Sequence, residues 1–465
     1  MNEEKKIEGC WWVDGRNAPP TPGVLEISPS GLNLRISHPR NISAAQLFIG
    51  VARNQGGESV EIVYGQDEHN NPVTLFGCHQ VGHNSTIGYL RRDISAIIGL
   101  SGWDLSDWEQ PLIRAVSLKI EYFHRWLDYQ PIRRSIEDGE EIGIIFNRSI
   151  DEVTVIEPGI RVRVVGQTAP SSGVDVTTYR SEGYVWFHFE TPQSLSAVHP
   201  RWLGWCRSLW GCLFGTGVRI LAAKVFDGDP YEPGEAIIGN CGTLLFWPEQ
   251  VVSPRISNPY SNWMIAPYRE LSGRLPDVLI AWHRLHESLS PVISLFSSVV
   301  LHHSLYDKAQ FMFLVQALEL YHTCSGHFVS TQLPRDERDA RLNRAMAALP
   351  DDLRDWARGK LVQNNKSLRE KLADVFQAHA AEATRIFGDI TQAADRIAYT
   401  RNNLTHHMES VNEQRLLSEI EIIRAAWALE AFLWIVLLRK LGINGEPIQR
   451  LLRRVTSTEF VSLRS

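Results

Sequence analysis

Asp389-Ile390-Thr391-Gln392, followed ten residues from Asp389 by Tyr399-Thr400-Arg401-Asn402-Asn403-Leu404-Thr405-His406-His407, is the stretch on which the fold of the C-terminal half turns. Asp389 and Gln392 stand at the spacing of a helix N-cap and its third-residue partner, so a helix starting there carries the Arg401 to His407 string on or at its end. Ser367 with Glu370 and Ser410 with Glu413 repeat that spacing, which marks two more helix starts. The last helix is expected to run from about Val411 to Leu441 and stop at Gly442, a rod of about 45 Å at 1.5 Å per residue. Its expected apolar stripe includes Leu416, Ile420, Ile423, Trp427, Leu433, Leu437 and Leu441.

Towards the N-terminus the signals change. Up to about residue 260, short β-branched or aromatic runs alternate with Gly, Pro and Asn, as in Gly23 to Ile27, Leu32 to Ile36, Val116 to Phe123, Ile160 to Val165 and Tyr184 to Phe189. One helix interrupts them over Pro200 to Leu213, where Trp202, Leu203, Cys206, Leu209, Trp210 and Leu213 fall at helical spacing, and Val218 to Val225 resumes a strand pattern. Pro254, Pro259, Pro267 and Pro276 then give 252–276 the composition of a connection. The fold class expected is therefore α+β and multidomain: a β-rich domain at 1–260, a connection at 261–276 and an all-α helical bundle at 277–465.

Composition narrows the chemistry. The net charge of −6 excludes a uniformly basic nucleic-acid surface, so any RNA site is local. Met1 to Glu8 has no apolar core, and Ala431 to Leu438 is far shorter than the roughly 20 residues a bilayer crossing needs, so a cytoplasmic protein with no membrane partner is expected. The six cysteines form no C-x-x-C pair and are expected as reduced core thiols. Cys78-His79 with His83 lacks a fourth ligand nearby and is expected to be turn-borne polar residues rather than a metal site. Phosphate loops, nucleophile elbows, dinucleotide fingerprints and the H-E-x-x-H zinc motif are all absent. Of 15 tryptophans, 11 precede residue 264; most are expected in the core, with Trp11 and Trp12 the first candidates for a recognition surface.

The Arg401-Asn402-x-Leu404-Thr405-His406 string, the upstream helix containing Phe311, Val315, Ala317-Leu318-Glu319 and Tyr321-His322, and the long apolar helix downstream together resemble the Apea-like HEPN domain over about residues 300 to 440. Gly9 to Gly15 with Trp11-Trp12, Val73-Thr74-Leu75 and Trp186 to Val225 are similar to the N-terminal domain that accompanies this HEPN type in the ApeA family of anti-phage proteins. The polar, Arg-rich segment from Ser325 to Asp352 matches neither and reads as a family-variable insertion.

The resemblance implies a bacterial defence endoribonuclease, a toxin restrained by its N-terminal domain until a phage-derived trigger releases it to cut cellular RNA, transfer RNA being a candidate target, in abortive infection. It also implies 2′,3′-cyclic phosphate and 5′-hydroxyl products with no cofactor and no metal. The residue types suit this chemistry, because RNA carries its own nucleophile in the 2′-hydroxyl and needs only proton transfer and charge stabilisation. His406 would serve as general acid or base, Arg401 would grip the phosphate and Asn402 would orient either, with Glu319 bracing Arg401 and His407 the alternative to His406. At 100° per residue, Asn402 and His406 share a face while Arg401 and His406 stand about 140° apart, which favours a composite site in a homodimer, with Ala426 to Leu438 as core and partly as interface. The competing readings are a non-catalytic HEPN module that binds RNA or protein, an Arg401 merely paired with Glu319 or Asp395, and a His406-His407 pair that complements the helix dipole.

Overall fold

The computed structural model describes residues 4–13, 15–39, 61–86, 89–128, 132–137, 140–146, 150–172, 177–228, 239–246, 264–301, 305–361, 365–406 and 412–457. Among the described residues, the N-terminal half forms a 14-stranded antiparallel sheet. From edge to edge its strands are Ile150–Glu157, Ile160–Ser172, Thr177–Gln193, Ile113–Ile120, Ile220–Phe226, Cys241–Leu245, Ile98–Ser101, Pro72–Phe76, Ile62–Asp67, Lys5–Trp12, Thr21–Ser28, Gly31–Pro39, Tyr89–Ala96 and His79–Thr86. Alternate residues of paired strands face inward, as Leu25 and Ile27 do beside Leu32, Leu34 and Ile36. Trp11 joins that core. Gly65 lies against the Trp11 indole so closely that a Cβ there would collide with the ring. Trp11 is therefore a packing residue and not a recognition surface, whereas Trp12 is half-buried.

The expected helix over 200–213 is present, entered through a π-helical turn at Val198–Trp202 and continuing as Leu203–Phe214. Trp205, Cys206, Leu209, Trp210, Leu213 and Phe214 are all buried, because this helix lies between the sheet and the helical half. Indole N–H groups fasten both sides of that layer: Trp126 donates to the Ala266 carbonyl at 2.7 Å, Trp282 to that of Trp205 at 3.3 Å and Trp434 to that of Cys212 at 2.8 Å. One apolar core runs continuously from Val116 and Val185 of the sheet to Leu433 and Leu437.

Beyond residue 264 the described chain is helical, with Leu275–Ser288 packed on the edge strand Ile150–Glu157. The helix Glu419–Lys440 is buried over most of its length, packs on Asp307–Cys324 and ends where Gly442 adopts φ 71°. Its start differs from the expectation. Ser418 and Glu421 form the capping box, giving 22 residues and about 33 Å of helix. Ser410 and Val411 lie outside the described residues, and 412–418 folds as a turn held on the preceding helix by Asn412 N–H to the Tyr399 hydroxyl at 2.6 Å and Leu417 N–H to Thr400 Oγ1 at 3.0 Å. The expected stripe breaks with it, since Ile420 is 64% exposed and Trp427 40% exposed, while Ile422, Ala425, Ala426 and Leu429 face inward and nearly every side chain from Ala428 to Leu438 is buried.

The Ser325 to Asp352 segment contains the helix Arg335–Ala348, which pairs with Asp351–Leu361. The Thr331 to Asn365 bridge and Lys366 N–H to the Ser330 carbonyl at 2.9 Å close the base of this excursion. Cys78, Cys206 and Cys212 are buried free thiols as expected, but Cys10 and Cys324 are exposed.

Candidate active site

Three helices bring the candidate residues together: Asp307–Cys324 supplies Glu319, Leu368–Ala378 supplies Lys371, and Ile390–His406 supplies Arg401 and Asn402. Two of the starts are set by side chains. Ser367 and Glu370 form a reciprocal capping box, and Asp389 Oδ1 accepts the N–H groups of Thr391 and Gln392 at 2.9 and 3.0 Å. Ala394, Ile397, Ala398 and Thr400 bury one face of the motif helix, which brings Arg401 in to the rim of the core.

The Arg401 side chain is mostly buried, with Nη2 lying 3.7 Å from Glu319 Oε2 and Nη1 donating to Asn402 Oδ1 at 3.3 Å. Lys371 Nζ donates to the other Glu319 oxygen at 2.9 Å. Among the described residues, two cations thus share one carboxylate and leave a surplus of positive charge. Arg401 Nε is buried and makes no hydrogen bond among the described residues, so the fork retains unused donor capacity there. Of the two acidic partners expected for Arg401, Glu319 is the one it meets; Asp395 is occupied by Arg415 at 2.8 and 2.7 Å.

His406 is the last residue of the motif helix and is exposed. Among the described residues no hydrogen bond or ion pair joins it to Arg401. His407 lies outside the described residues. One chain therefore gathers Arg401, Asn402 and Glu319, while His406, among the described residues, forms no hydrogen bond or ion pair with them.

A second pair supports the first one turn further on. His322 is fully buried, its Nε2 lying 2.9 Å from Asp374 Oδ2, and Lys366 Nζ donates to the same oxygen at 2.6 Å. Phe328 stacks on the His322 ring with centroids 4.8 Å apart. Burial by itself would raise the Asp374 carboxyl, but hydrogen bonds from Lys366 and His322 outweigh it and hold the group below the usual carboxylate range. Lys371 and Asp374, absent from the sequence-based candidates, sit three residues apart opposite Glu319 and His322, also three apart. That matched spacing, counted from the cap at Ser367, was the available signal. Cys78 is buried in the sheet core, where burial pushes its thiol up to about 12.

Residues 6–282 match the family ApeA N-terminal domain 1, and residues 313–447 match the family Apea-like HEPN. No curated protein and no solved structure matches the chain. Arg401, Asn402, His406, Glu319 and Lys371 all fall within the HEPN match. The two domains in this order form the ApeA architecture, which associates the chain with anti-phage defence, and HEPN domains are generally associated with ribonucleases. No helix among the described residues is long and apolar enough to cross a membrane.

Proposed function

This chain belongs to the family defined by ApeA N-terminal domain 1, and from that membership we propose that it is a defence endoribonuclease of the bacterial cytoplasm, its HEPN domain cutting cellular RNA when the N-terminal domain meets a phage-derived trigger. The observation that carries this reading is the cluster near the end of the motif helix, where, among the described residues, Arg401 and Lys371 outnumber Glu319 and Arg401 Nε has no hydrogen bond. A phosphate bearing extra negative charge in its transition state is the natural complement of that surplus. Cleavage proceeds when the 2′-hydroxyl attacks the adjacent phosphorus. His406 takes the 2′-proton or supplies one to the departing 5′-oxygen, Arg401 stabilises the phosphorane and Asn402, bonded to Arg401, orients it. No step calls for a metal, since the nucleophile belongs to the substrate.

A homodimer completes the site by bringing His406 of one protomer to Arg401 of the other. The offset of about 140° between Arg401 and His406 around one helix supports this, as do Ile420 and Trp427, exposed on the helix that follows the motif. Ala428 to Leu438 is buried within the chain, which moves the interface proposed here to the outer side of the first turns. The continuous core between sheet and bundle supports a regulatory role for the N-terminal domain, because a shift of the layer at Leu203–Phe214 would be felt directly through Trp434. Transfer RNA is the first substrate to try.

The test is incubation of total cellular RNA with purified wild type and with His406→Ala. Wild type should cleave and the variant should not. Equal cleavage by both would remove His406 from the chemistry, and cleavage by neither, with RNA bound by both, would favour the non-catalytic HEPN module.

A further inference from the structure

A different cluster closes the seam between the sheet edge and the first long helix of the helical half. Glu157 ends the edge strand Ile150–Glu157, and His283 and Glu287 stand four residues apart on Leu275–Ser288, hence on one face. One ligand atom from each of the three lies within 4.8 Å of the others. His283 Nε2 is 3.1 Å from Glu157 Oε2 and 3.9 Å from Glu287 Oε1.

The imidazole is only 3% exposed, and the Trp202 indole lies parallel to it at an interplanar angle of 7°, fixing the plane of the ring. Among the described residues, neither ring nitrogen makes a hydrogen bond of acceptable alignment, although Glu157 Oε2 is close enough in distance to Nε2. Every protonation state of an imidazole presents at least one N–H donor, and burying such groups unmatched is unfavourable. An ion seated between Nε2 and the two carboxylates relieves the mismatch at that nitrogen.

We propose that Glu157, His283 and Glu287 bind a divalent cation, with zinc the best match to one imidazole and two carboxylates. Ligand atoms around a four-coordinate zinc with bonds of about 2.0–2.1 Å are spaced roughly 3.3 Å apart, and the observed 3.1 and 3.9 Å bracket that spacing. Two carboxylates balance the charge of the ion. Arg201 pairs with Glu287 at 3.3 Å and lies over the Trp202 ring, but its side chain is 46% exposed and can withdraw to solvent when the ion enters. The Glu287 side chain is 54% exposed, so the fourth position faces water. The bound ion would clamp the helix to the sheet edge and strengthen the contact between the two halves.

Metal content and thermal unfolding of the full-length protein test this directly. After equilibration with zinc and removal of loosely held metal, wild type should keep about one ion per chain and melt higher than the chelator-treated sample. Glu157→Gln and Glu287→Gln, each keeping the shape of the side chain, should each weaken zinc binding at least tenfold and abolish the chelator-dependent shift in Tm. Arg401→Ala should retain both, which separates this site from the nuclease. Zinc binding unchanged in both glutamine variants, or wild type that keeps no zinc and melts identically with and without it, would overturn the assignment.

Discussion

The clusters around Arg401 and His283 are built differently and charged oppositely. The first takes one residue from each of three helices, the second takes two from one helix and a third from the sheet edge. At Arg401 two cations surround one carboxylate; at His283 two carboxylates surround one imidazole, with Arg201 outside. The imbalance, rather than the number of charges, shows what each cluster lacks, because a balanced buried pair satisfies itself and a surplus invites a ligand of the opposite sign. On that basis the first cluster is suited to phosphate and the second to a metal cation.

Removing the surplus at Arg401 should have the largest effect. Arg401→Ala should lower the rate of RNA cleavage by about 10²–10⁴-fold, with the far-ultraviolet circular dichroism unchanged. Arg401→Lys should recover little, because an ammonium does not reproduce the planar fork. A near-normal initial rate for Arg401→Ala would remove phosphate stabilisation from this residue.

Glu319 tests whether the carboxylate positions the cation. Glu319→Gln should reduce kcat about tenfold while KM changes little, since a loosened Arg401 still attracts RNA but meets the transition state in poorer geometry. Glu319→Asp should recover part of the loss, and an unchanged kcat in the glutamine variant would leave Glu319 a bystander.

Assembly comes next in size. Ile420→Glu and Trp427→Glu replace exposed side chains, so folding should survive, but each should weaken the dimer by about 1–2 kcal/mol, roughly tenfold in Kd. Light scattering across a dilution series reads this, and wild type that is monomeric while fully active would end the composite-site proposal.

The smallest effect concerns pH. The Asp374 carboxyl is held low in the folded state, so its stabilisation is present above its unfolded value and is lost as pH falls below about 4. Wild type should therefore lose Tm more steeply than Asp374→Asn over that acidic range, and parallel curves would show that the Lys366 and His322 contacts contribute nothing there.

Much of this arrangement was legible in the sequence where it depends on neighbours along the chain. The alternating runs at Gly23 to Ile27 and Leu32 to Ile36 are strands, and the caps at Ser367 and Asp389 start helices. Ser410 and Ser418 show the limit: both precede a glutamate by three residues, and nothing local distinguishes the capping box at Ser418 from the repeat of its spacing eight residues earlier. Pairings between distant elements were less visible. That Trp11 lies over Gly65, that Lys371 meets Glu319, and that Glu157 faces His283 depend on strand order and helix packing, which residue spacing does not encode. The long apolar stripe failed for a related reason: a helix buried all round, as at Ala428 to Leu438, has no single apolar side to read.

The most direct test of the nuclease proposal is the chemistry of the RNA ends left by wild type without added metal. Attack by the 2′-hydroxyl, with Arg401 and His406 as its agents, should leave 2′,3′-cyclic phosphate and 5′-hydroxyl ends, and these ends should persist under chelation at a temperature where the metal-free protein stays folded. Products with 3′-hydroxyl and 5′-phosphate ends would contradict it, because they require water rather than the RNA's own hydroxyl as the nucleophile.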